Sequence, residues 1–382
     1  MLMTTDVSDT AVGTIRSGFL GGGFMAQVHS RAARAAGASL YALASSSPQR
    51  AERAARELGI LHAEADAADL LATDVDIVHV CTPNSTHAEF ALLVIDAGKH
   101  VICEKPLATS FADARALAEA AQQAGVVAAV PFVYRYHPMV REARALVAAG
   151  EIGALLTVDC GYLQDWMLLP DDDDWRATSA GGGPSRAFAD IGSHLCDLLE
   201  FVAGEPIARL MARTHRVYDE RGGHTVTNED AVAILVEMQS GAIGTLLISQ
   251  MAAGRKNSLT LELHGAVASV RFDQERPEEL WMGTRTGNRQ LFRDPQTAHP
   301  GVERFSRVPA GHAQGYQDAF NAFVADAYAA IDGPVPDGLP LFTDGVRAAQ
   351  LTEAVLRSSA EERWVDVAPA SSGHPTDQKE SE

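Results

Sequence analysis

An alternation of short apolar strands and helices constrains the fold most strongly, and it runs from Thr14 to about Val133. The predicted strands are TIRSGFL, SLYALA, DIVHVCT, HVICE and VVAAVPFV, separated by segments of helical length. Strands that are apolar on both faces are typical of a parallel sheet covered by helices on both sides. The pattern therefore predicts a doubly wound α/β domain over residues 14–137.

The pattern changes after Gly150. One helix, predicted from Ala189 to Ala203, precedes the alternating strands RLMARTHRV, AVAILVEM, GTLLISQ, LTLELHG and ASVRFD, and two helices follow near Gln314–Ile331 and Thr343–Ser358. Consecutive strands with short turns favour a mostly antiparallel sheet in an α+β domain over residues 138–367. The last helix is expected to pack back on the first domain. Polar, breaker-rich ends predict disordered tails over residues 1–13 and 368–382.

The charge of the chain is uneven. Its 382 residues carry a net charge of −19, of which residues 1–150 contribute −3 and the remainder −16. Such an excess of acid repels nucleic-acid phosphate and anionic membranes, so neither is expected as a partner. The nearly neutral first part is the better place for a phosphate-bearing ligand.

The cysteines and the start of the chain indicate a compartment. Cys81, Cys103, Cys160 and Cys196 show no metal-ligand spacing, and reduced core thiols are the expected state. The chain begins without a basic segment followed by an apolar one, and no run of 18 apolar residues occurs. We expect a cytoplasmic protein without a metal site.

A glycine-rich turn follows the first predicted strand and opens a helix. Gly21, Gly23 and Ala26 form a G-x-G-x-x-A sequence, in which Gly21 permits the tight turn and Gly23 lets a pyrophosphate approach the backbone. The helix start, with Phe24 and Met25, supplies N–H groups and partial positive charge. At this junction the motif predicts dinucleotide binding; a purely structural turn is the alternative.

The end of the second strand bears on the choice of dinucleotide. An Asp or Glu there would bond the ribose 2′-hydroxyl of NAD, but the residues are Ser45, Ser46, Ser47, Pro48, Gln49 and Arg50. Hydroxyl groups and an arginine suit a 2′-phosphate and favour NADP. Alternatively, Ser47 caps the next helix and Arg50 is merely solvated, which is compatible with NAD.

Two later segments follow strands of the same predicted sheet, Thr82–His87 and Glu104–Pro106. Ligands of open parallel sheets bind beyond the carboxyl ends of the strands, so both segments should face the cofactor. The candidate cofactor contacts there are Thr82, Pro83, Asn84, His87, Glu104 and Lys105.

Four motifs in order, GFLGGGFMAQVH, CTPNSTH, AGKHVICEKPLA and GGGPSRAFADIGSHLCDLL, resemble the Gfo/Idh/MocA oxidoreductase family, the glucose-fructose oxidoreductase and inositol dehydrogenase group. The resemblance extends from Ile15 to about Val367. It implies an amino-terminal Rossmann domain and a carboxyl-terminal domain on a large open sheet, through which members form dimers or tetramers. The segment Gly161–Trp166 resembles that of sugar dehydrogenases in the family.

The resemblance implies that Lys105, Asp190 and His194 are catalytic. Asp190 and His194 are four residues apart, so on a helix they present a carboxylate and an imidazole to the same point. Oxidation of a secondary alcohol needs a base near neutral pH and a group that orients the reacting oxygen. We assign His194 as the principal acid/base, Asp190 as a positioning group and Lys105 as the partner of the oxygen; Lys105 and His194 could exchange roles.

The resemblance also implies roles for Trp175, Arg176 and Arg135, whereas the other candidates are chosen for their polar side chains. The pair Trp175 and Arg176 is expected near the cofactor, although the acid run 171–174 precedes it; we interpret that run as a solvated loop. The candidate substrate contacts are Lys105, Arg135, Tyr162, Gln164, Asp165, Asp190, His194 and Tyr316.

These features predict an NAD(P)-dependent oxidoreductase that interconverts a secondary alcohol and a ketone on a sugar, anhydrosugar or cyclitol. A small, neutral, polyhydroxylated substrate suits a pocket with few cations. Two alternatives stay open. One is a glycosidase of the same family that uses NAD transiently, and the other is a non-catalytic NADP-sensing protein.

Overall fold

The computed structural model describes residues 14–368. The predicted tails lie outside the described residues, apart from Ala368. A parallel six-stranded sheet forms first, in the order β3-β2-β1-β4-β5-β6. Its strands are β1 (Arg16–Leu20), β2 (Ser39–Ala44), β3 (His62–Ala63), β4 (Ile77–Val80), β5 (His100–Cys103) and β6 (Ala128–Ala129). Its helices are α1 (Phe24–Ala35), α2 (Pro48–Leu58), α3 (Ala67–Leu71), α4 (His87–Asp96) and α5 (Phe111–Ala124).

The central strands of the six-stranded sheet are covered on both faces, and their successive residues point to opposite sides. On β1, Phe19 enters a core shared with Val28 of α1, whereas Leu20 enters a second core shared with Leu117 of α5. The strand order and the double helical cover confirm the predicted Rossmann architecture.

The second unit is built on a nine-stranded sheet, in the order β16-β15-β14-β13-β7-β12-β11-β8-β17. All neighbouring strands are antiparallel except β7 and β12, which confirms the predicted mostly antiparallel sheet. Its strands are β7 (Leu155–Leu163), β8 (Ile207–His215), β11 (Ala231–Met238), β12 (Ile243–Ser249), β13 (Ser258–Gly265), β14 (Ser269–Asp273), β15 (Glu279–Thr284), β16 (Gly287–Phe292) and β17 (Val365–Asp366). A separate hairpin pairs β9 (Glu220–Arg221) with β10 (His224–Thr225).

Helices cover one face of this sheet and join it to the first. They are α6 (Pro138–Ala148), α7 (Ser179–Gly182), α8 (Ser193–Ala203), α9 (Tyr316–Asp332) and α10 (Phe342–Glu361). Phe320 and Phe323 of α9 belong to the core of the first sheet, together with Phe19. On α10, Phe342 packs into the core of the first sheet beside α5, and Val355 packs into the core of the second.

Strand β7 lies at the centre of the second sheet, although the sequence analysis assigned no strand there. Its buried Val158, Cys160 and Tyr162 alternate with Thr157 and Asp159 on the other face. The strand stands alone in the sequence, because its neighbours β12 and β13 come much later in the chain. A prediction that relies on consecutive strands therefore does not detect β7.

The four cysteines are free thiols, with Cys81 half-buried and Cys103, Cys160 and Cys196 buried. Among the helices between residues 14 and 368, none is long and apolar enough to span a bilayer.

Candidate active site

The glycine turn after β1 forms an open cradle at the start of α1. Gly21 has φ +101°, and a Cβ there would lie 2.5 Å from the carbonyl oxygen of Cys81. Gly23 is the N-cap of α1 and receives no side-chain cap, and a Cβ built there would meet nothing within 4 Å. Phe24 is exposed and Met25 half-buried. The first N–H groups of α1 have no partner within the helix, and the open space beside Gly23 leaves room for a dinucleotide pyrophosphate.

The turn after β2 carries hydroxyl groups and an arginine, and residues 45–50 contain no acid. Ser47 Oγ accepts a hydrogen bond from the Arg50 N–H at 3.3 Å and so caps α2. Arg50 Nη1 donates to Ser46 Oγ at 3.1 Å. The guanidinium therefore lies over Ser46 at the exposed edge of the cradle.

The segments after β4 and β5 are tied together by His87. Its Nδ1 lies 2.7 Å from the Pro106 carbonyl oxygen, and its Nε2 lies 2.8 Å from the Thr82 carbonyl oxygen. His87 and Asn84 are buried. His87 thus links the Thr82–Pro83 turn to the segment that carries Lys105.

Lys105 and Asp190 form the centre of the site. Lys105 Nζ donates to Asp190 Oδ1 at 2.7 Å and to the Asp190 carbonyl oxygen at 3.0 Å. Gln250 Nε2 donates to the other carboxylate oxygen at 2.9 Å, and Arg176 Nε lies 3.7 Å from Oδ1. Burial alone would raise the pKa of Asp190, but Lys105 and Arg176 outweigh it and hold the pKa below its usual value. Asp190 is therefore an ionised group that fixes Lys105.

The helix that carries Asp190 and His194 differs from the expected α-helix. Residues Phe188–Gly192 form a π turn, and α8 begins only at Ser193. A Cβ on Gly192 would come within 2.6 Å of the Phe188 ring, so this tight turn needs a glycine there. π turns widen the helix by one residue and are frequent at functional sites.

His194 is buried against aromatic rings. Its ring centroid lies 5.2 Å from that of Tyr134 and 5.5 Å from that of Phe132, both edge to face. Its Nδ1 is buried and has no hydrogen-bond partner among the described residues. Burial and the nearby Lys105 ammonium lower the pKa of His194 to about 3, although Glu104 and Asp190 act in the opposite direction. The imidazole is therefore neutral at ordinary pH, and its unpaired Nδ1 is free to make a hydrogen bond.

This burial predicts a pH-dependent loss of stability. The unfolded state binds a proton at His194 below its ordinary pKa of 6.5, whereas the folded state binds one only near 3, so stability rises with pH between these values. Between pH 7.5 and pH 5.0, the free energy of unfolding of the wild type should fall by about 2 kcal/mol more than that of His194→Gln. Urea unfolding at both pH values measures this. Equal losses in the two proteins would contradict the burial of a neutral histidine.

A network of uncharged groups adjoins His194. The hydroxyl oxygens of Tyr134 and Tyr162 lie 2.6 Å apart, and Tyr162 donates to Asn257 Oδ1 at 2.7 Å. Gln164 Nε2 donates to the same oxygen at 2.9 Å. The ring centroids of Tyr316 and Tyr134 are 6.4 Å apart. The wall of the site thus offers hydroxyl and amide groups.

Two of the expected substrate contacts, Arg135 and Asp165, form ion pairs with residues outside the Lys105–Asp190 centre. Arg135 Nε donates to Asp197 Oδ2 at 2.9 Å and its Nη2 donates to Asp344 Oδ1 at 2.7 Å, so this arginine joins α8 to α10. Asp165 Oδ2 accepts from Lys256 Nζ at 2.7 Å. The structure does not bring either side chain into contact with Lys105, Asp190 or His194.

The Trp175–Arg176 pair lies in a short 3-10 turn beside the site. The Arg176 guanidinium lies 4.2 Å from the Trp175 ring centroid and donates to Asp174 Oδ1 at 3.1 Å. Earlier in the acid run, Asp172 Oδ2 accepts a hydrogen bond from the Leu169 N–H at 2.7 Å. Among residues 14–368, no three His, Cys, Asp or Glu side chains group closely enough to hold a metal ion.

Sequence reasoning missed three polar groups of the site, Tyr134, Gln250 and Asn257. Gln250 follows β12, and Asn257 precedes β13. No spacing marks Gln250 or Asn257, because sheet pairing brings them to the π turn and the first domain, and Tyr134 lies in a short turn after the first sheet.

The comparisons with known proteins agree with this geometry. Residues 15–132 match the family described as "Oxidoreductase family, NAD-binding Rossmann fold", and residues 140–271 match "GFO/IDH/MocA C-terminal domain". Levoglucosan dehydrogenase of Pseudarthrobacter phenanthrenivorans is 32% identical over 386 residues, which cover 92% of this chain and 97% of that protein.

Two solved structures superpose over 93% of this chain and 99% of their own. An oxidoreductase domain protein from Kribbella flavida has a TM-score of 0.87 at 35% identity. Levoglucosan dehydrogenase in complex with NADH and levoglucosan has a TM-score of 0.87 at 31% identity.

A nucleotide-binding parallel sheet, an adjoining large open sheet and a lysine held beside a neutral histidine together define a pyridine-nucleotide-dependent oxidoreductase. The chain belongs to the Gfo/Idh/MocA oxidoreductase family.

Proposed function

We propose that this enzyme interconverts a secondary alcohol and a ketone on a neutral sugar, anhydrosugar or cyclitol. The observation that carries the proposal is the convergence of Lys105, Asp190 and His194 beside an uncharged wall of tyrosine and amide groups. Such a wall suits hydroxyl groups and offers no cation for a phosphate. The related levoglucosan dehydrogenase supports the same substrate class.

The residues of the first domain would hold the cofactor. Gly21 and Gly23 would admit the pyrophosphate, and Ser45, Ser46 and Arg50 would bind the adenosine ribose. The bound nicotinamide supplies the chemistry of hydride exchange with the substrate carbon.

Side chains of the protein accept the hydroxyl proton and orient the reacting oxygen. His194, which is neutral and lacks a partner for Nδ1, accepts the proton of the substrate hydroxyl. Lys105 donates a hydrogen bond to the same oxygen, and Asp190 holds the ammonium in place through the 2.7 Å contact. Glu104 lies near enough to stabilise the imidazolium that forms. Lys105 and His194 exchange these roles if Lys105 gives up its proton to the medium first.

A substrate panel tests this proposal. Purified enzyme is mixed with monosaccharides, anhydrosugars and inositols, each with NAD and with NADP, and reduced nicotinamide is followed by absorbance. We expect turnover of at least one neutral polyol, and sugar phosphates should react poorly. Turnover confined to phosphorylated or carboxylated sugars would contradict the proposed substrate class.

We propose NADP as the preferred cofactor, because an arginine and three hydroxyl groups surround the end of β2 without any acid. A carboxylate at this position repels a 2′-phosphate. Calorimetric titration should therefore show tighter binding of NADP than of NAD by the wild type. The Ser45→Asp variant should instead bind NAD at least about tenfold more tightly than NADP, a difference of roughly 1.4 kcal/mol. Equal or tighter binding of NAD by the wild type would contradict this choice.

We propose that the outer face of the large sheet joins two copies of this chain. Four apolar side chains on β8, β11 and β12 are exposed on the face opposite to the helices: Met211, Leu235, Ile243 and Leu247. Leu235 is paired with Met211 across the strands. A contiguous apolar patch of this kind marks an interface.

Substitution of this patch should dissociate the oligomer. Leu235→Lys combined with Leu247→Lys should shift the mass measured by light scattering from a dimer or tetramer to a monomer. Leu61→Lys, at an exposed leucine of the first domain, is the control and should leave the mass unchanged. A monomeric wild type would contradict this interface.

A further inference from the structure

The π turn that carries Asp190 begins with backbone N–H groups that the helix itself cannot satisfy. The hydrogen bond from the Asp190 N–H to the Arg186 carbonyl oxygen, at 2.8 Å, is the first of the turn. The N–H groups of residues 186–189 precede it and need acceptors from elsewhere, as at the start of any helix. Residues 186–189 are buried, so these acceptors must come from the protein.

A glutamate from a distant part of the chain supplies most of the acceptors. Glu229, which lies just before β11, is 5% exposed. Its Oε1 accepts from the Arg186 N–H at 3.1 Å and from the Phe188 N–H at 2.9 Å. Its backbone carbonyl oxygen accepts from the Ala187 N–H at 3.3 Å. One residue therefore satisfies three of the four N–H groups.

Ser185 satisfies the fourth. The Ser185 oxygen accepts from the Ala189 N–H at 3.2 Å, and the Ser185 hydroxyl donates to Glu229 Oε1 at 2.7 Å. All four N–H groups thus end on Glu229, either directly or through one hydroxyl group. We name Glu229, Ser185 and these four N–H groups the Glu229 cap.

The segment around Glu229 is itself held in place. Asp230 is fully buried and pairs with the guanidinium groups of Arg186 and Arg221, which are also buried. On the other side, Asn228 Nδ2 donates to the Arg176 carbonyl oxygen at 2.8 Å. Hydrogen bonds between charged groups are stronger than those between neutral groups. Glu229 therefore lies between two anchored residues and gives the turn a rigid support.

The Glu229 cap is one hydrogen bond away from the catalytic pair. Arg186 joins the two, because its N–H donates to Glu229 and its carbonyl oxygen accepts from the Asp190 N–H. Lys105 Nζ donates both to the Asp190 carbonyl oxygen at 3.0 Å and to Asp190 Oδ1 at 2.7 Å. Gln250, which donates to the other carboxylate oxygen, binds the same segment through its own N–H. A displacement of the turn would therefore change both contacts of the ammonium.

We propose that Glu229 is a positioning residue, which fixes the π turn and so sets the contact between Asp190 and Lys105. Among residues 14–368, no hydrogen bond joins Glu229 to Lys105, Asp190 or His194, so its effect passes through the turn. The importance of Glu229 for turnover rests on the proposed function. The holding of the turn is measurable without any substrate.

Amide hydrogen exchange followed by mass spectrometry measures that holding. Glu229→Leu keeps a similar volume and removes the side-chain acceptor, so peptides that cover residues 185–194 should exchange faster than in the wild type. Glu229→Gln keeps an acceptor oxygen and should exchange like the wild type. Equal exchange of these peptides in wild type and Glu229→Leu would overturn the proposal.

Glu142→Leu is the matched control. Glu142 is a carboxylate on α6 that is 7% exposed and accepts the His299 N–H at 3.0 Å. Its loss should leave exchange over residues 185–194 unchanged. The same acceleration in Glu142→Leu as in Glu229→Leu would show a general loss of stability and would also overturn the proposal.

The effect on turnover separates positioning from a purely structural role. Glu229→Leu should lower kcat on the order of 10²-fold, the loss that a misplacement of about 1 Å causes. Cofactor affinity should stay at the wild-type value, and Glu229→Gln should recover most of the activity. In the Lys105→Met background, Glu229→Leu should cost less than about a further twofold, because the contact that it supports is already gone. An equal loss in both backgrounds would contradict the positioning role.

Ser185→Ala decides if Glu229→Leu fails to fold. It removes one donor to Glu229 and the acceptor of the Ala189 N–H, so it should speed exchange in the same peptides and lower kcat by a smaller factor. Wild-type exchange in Ser185→Ala would then overturn the proposal. Failure of every sugar to react would reject the proposed function, whereas the exchange measurement would still decide whether Glu229 holds the turn.

Discussion

Lys105→Met is expected to lower kcat/KM by about 10²- to 10⁴-fold, the range usual for loss of a positioned acid–base group. The substitution keeps the apolar stem of the side chain and removes the ammonium that donates to Asp190 at 2.7 Å. The affinity for the cofactor should change little, because the cradle at Gly21–Gly23 is untouched. Steady-state kinetics and cofactor titration together measure both effects.

Two further variants define the role of this pair. Because Asp190 acts through Lys105, Asp190→Asn should cost little extra activity in the Lys105→Met background, so the two effects should not add. Lys99→Ala, at a half-buried lysine before β5, is the control and should retain wild-type activity. Turnover by Lys105→Met at the wild-type rate would show that Lys105 takes no part in proton transfer.

Gly21→Ala is expected to weaken cofactor binding by at least about tenfold, or roughly 1.4 kcal/mol. The new Cβ would lie 2.5 Å from the Cys81 carbonyl oxygen, so the turn after β4 must move away from the cradle. Overpacking of this kind costs about 1–3 kcal/mol of stability, in addition to the strain of alanine at φ +101°. Calorimetric titration and thermal unfolding measure the two losses.

Gly37→Ala separates the clash from the backbone strain. Gly37 has φ +85°, but a Cβ there would meet nothing within 4 Å. This variant should lose about 1–2 kcal/mol of stability and keep the wild-type affinity for cofactor. Equal affinities of Gly21→Ala and Gly37→Ala would mean that the turn at Gly21 does not shape the cofactor site.

The first domain was predictable because residues that are close in sequence determine each of its strands, helices and turns. Strands β1, β2, β4 and β5 are mostly apolar runs, and helices α2 and α5 begin at the caps Ser47 and Ser110. Parallel strands place their following turns at one edge of the sheet. The positions of Gly21 and Lys105 followed from that arrangement.

The polar wall was not predictable, because long-range pairing assembles it. Tyr134 comes from the turn after the first sheet, Tyr162 from the central strand β7, and Asn257 from the start of β13. The π turn at Phe188–Gly192 was also not predicted, because it differs from a regular α-helical turn by only one inserted residue. The contact between Tyr328 of α9 and His79 of β4 likewise joins parts that are far apart in the chain.

The stoichiometry of product formation distinguishes a dehydrogenase from a redox glycosidase and from a sensor. With the best substrate of the panel and oxidised cofactor in excess, reduced nicotinamide is measured by absorbance and the sugar product by mass spectrometry. One reduced cofactor for each ketone formed, with this yield abolished on the same timescale in Lys105→Met, is the predicted result. Release of an aglycone without accumulation of reduced cofactor would identify a redox glycosidase. Tight cofactor binding without conversion of any substrate would indicate a sensor. Either result would contradict the proposed dehydrogenase activity.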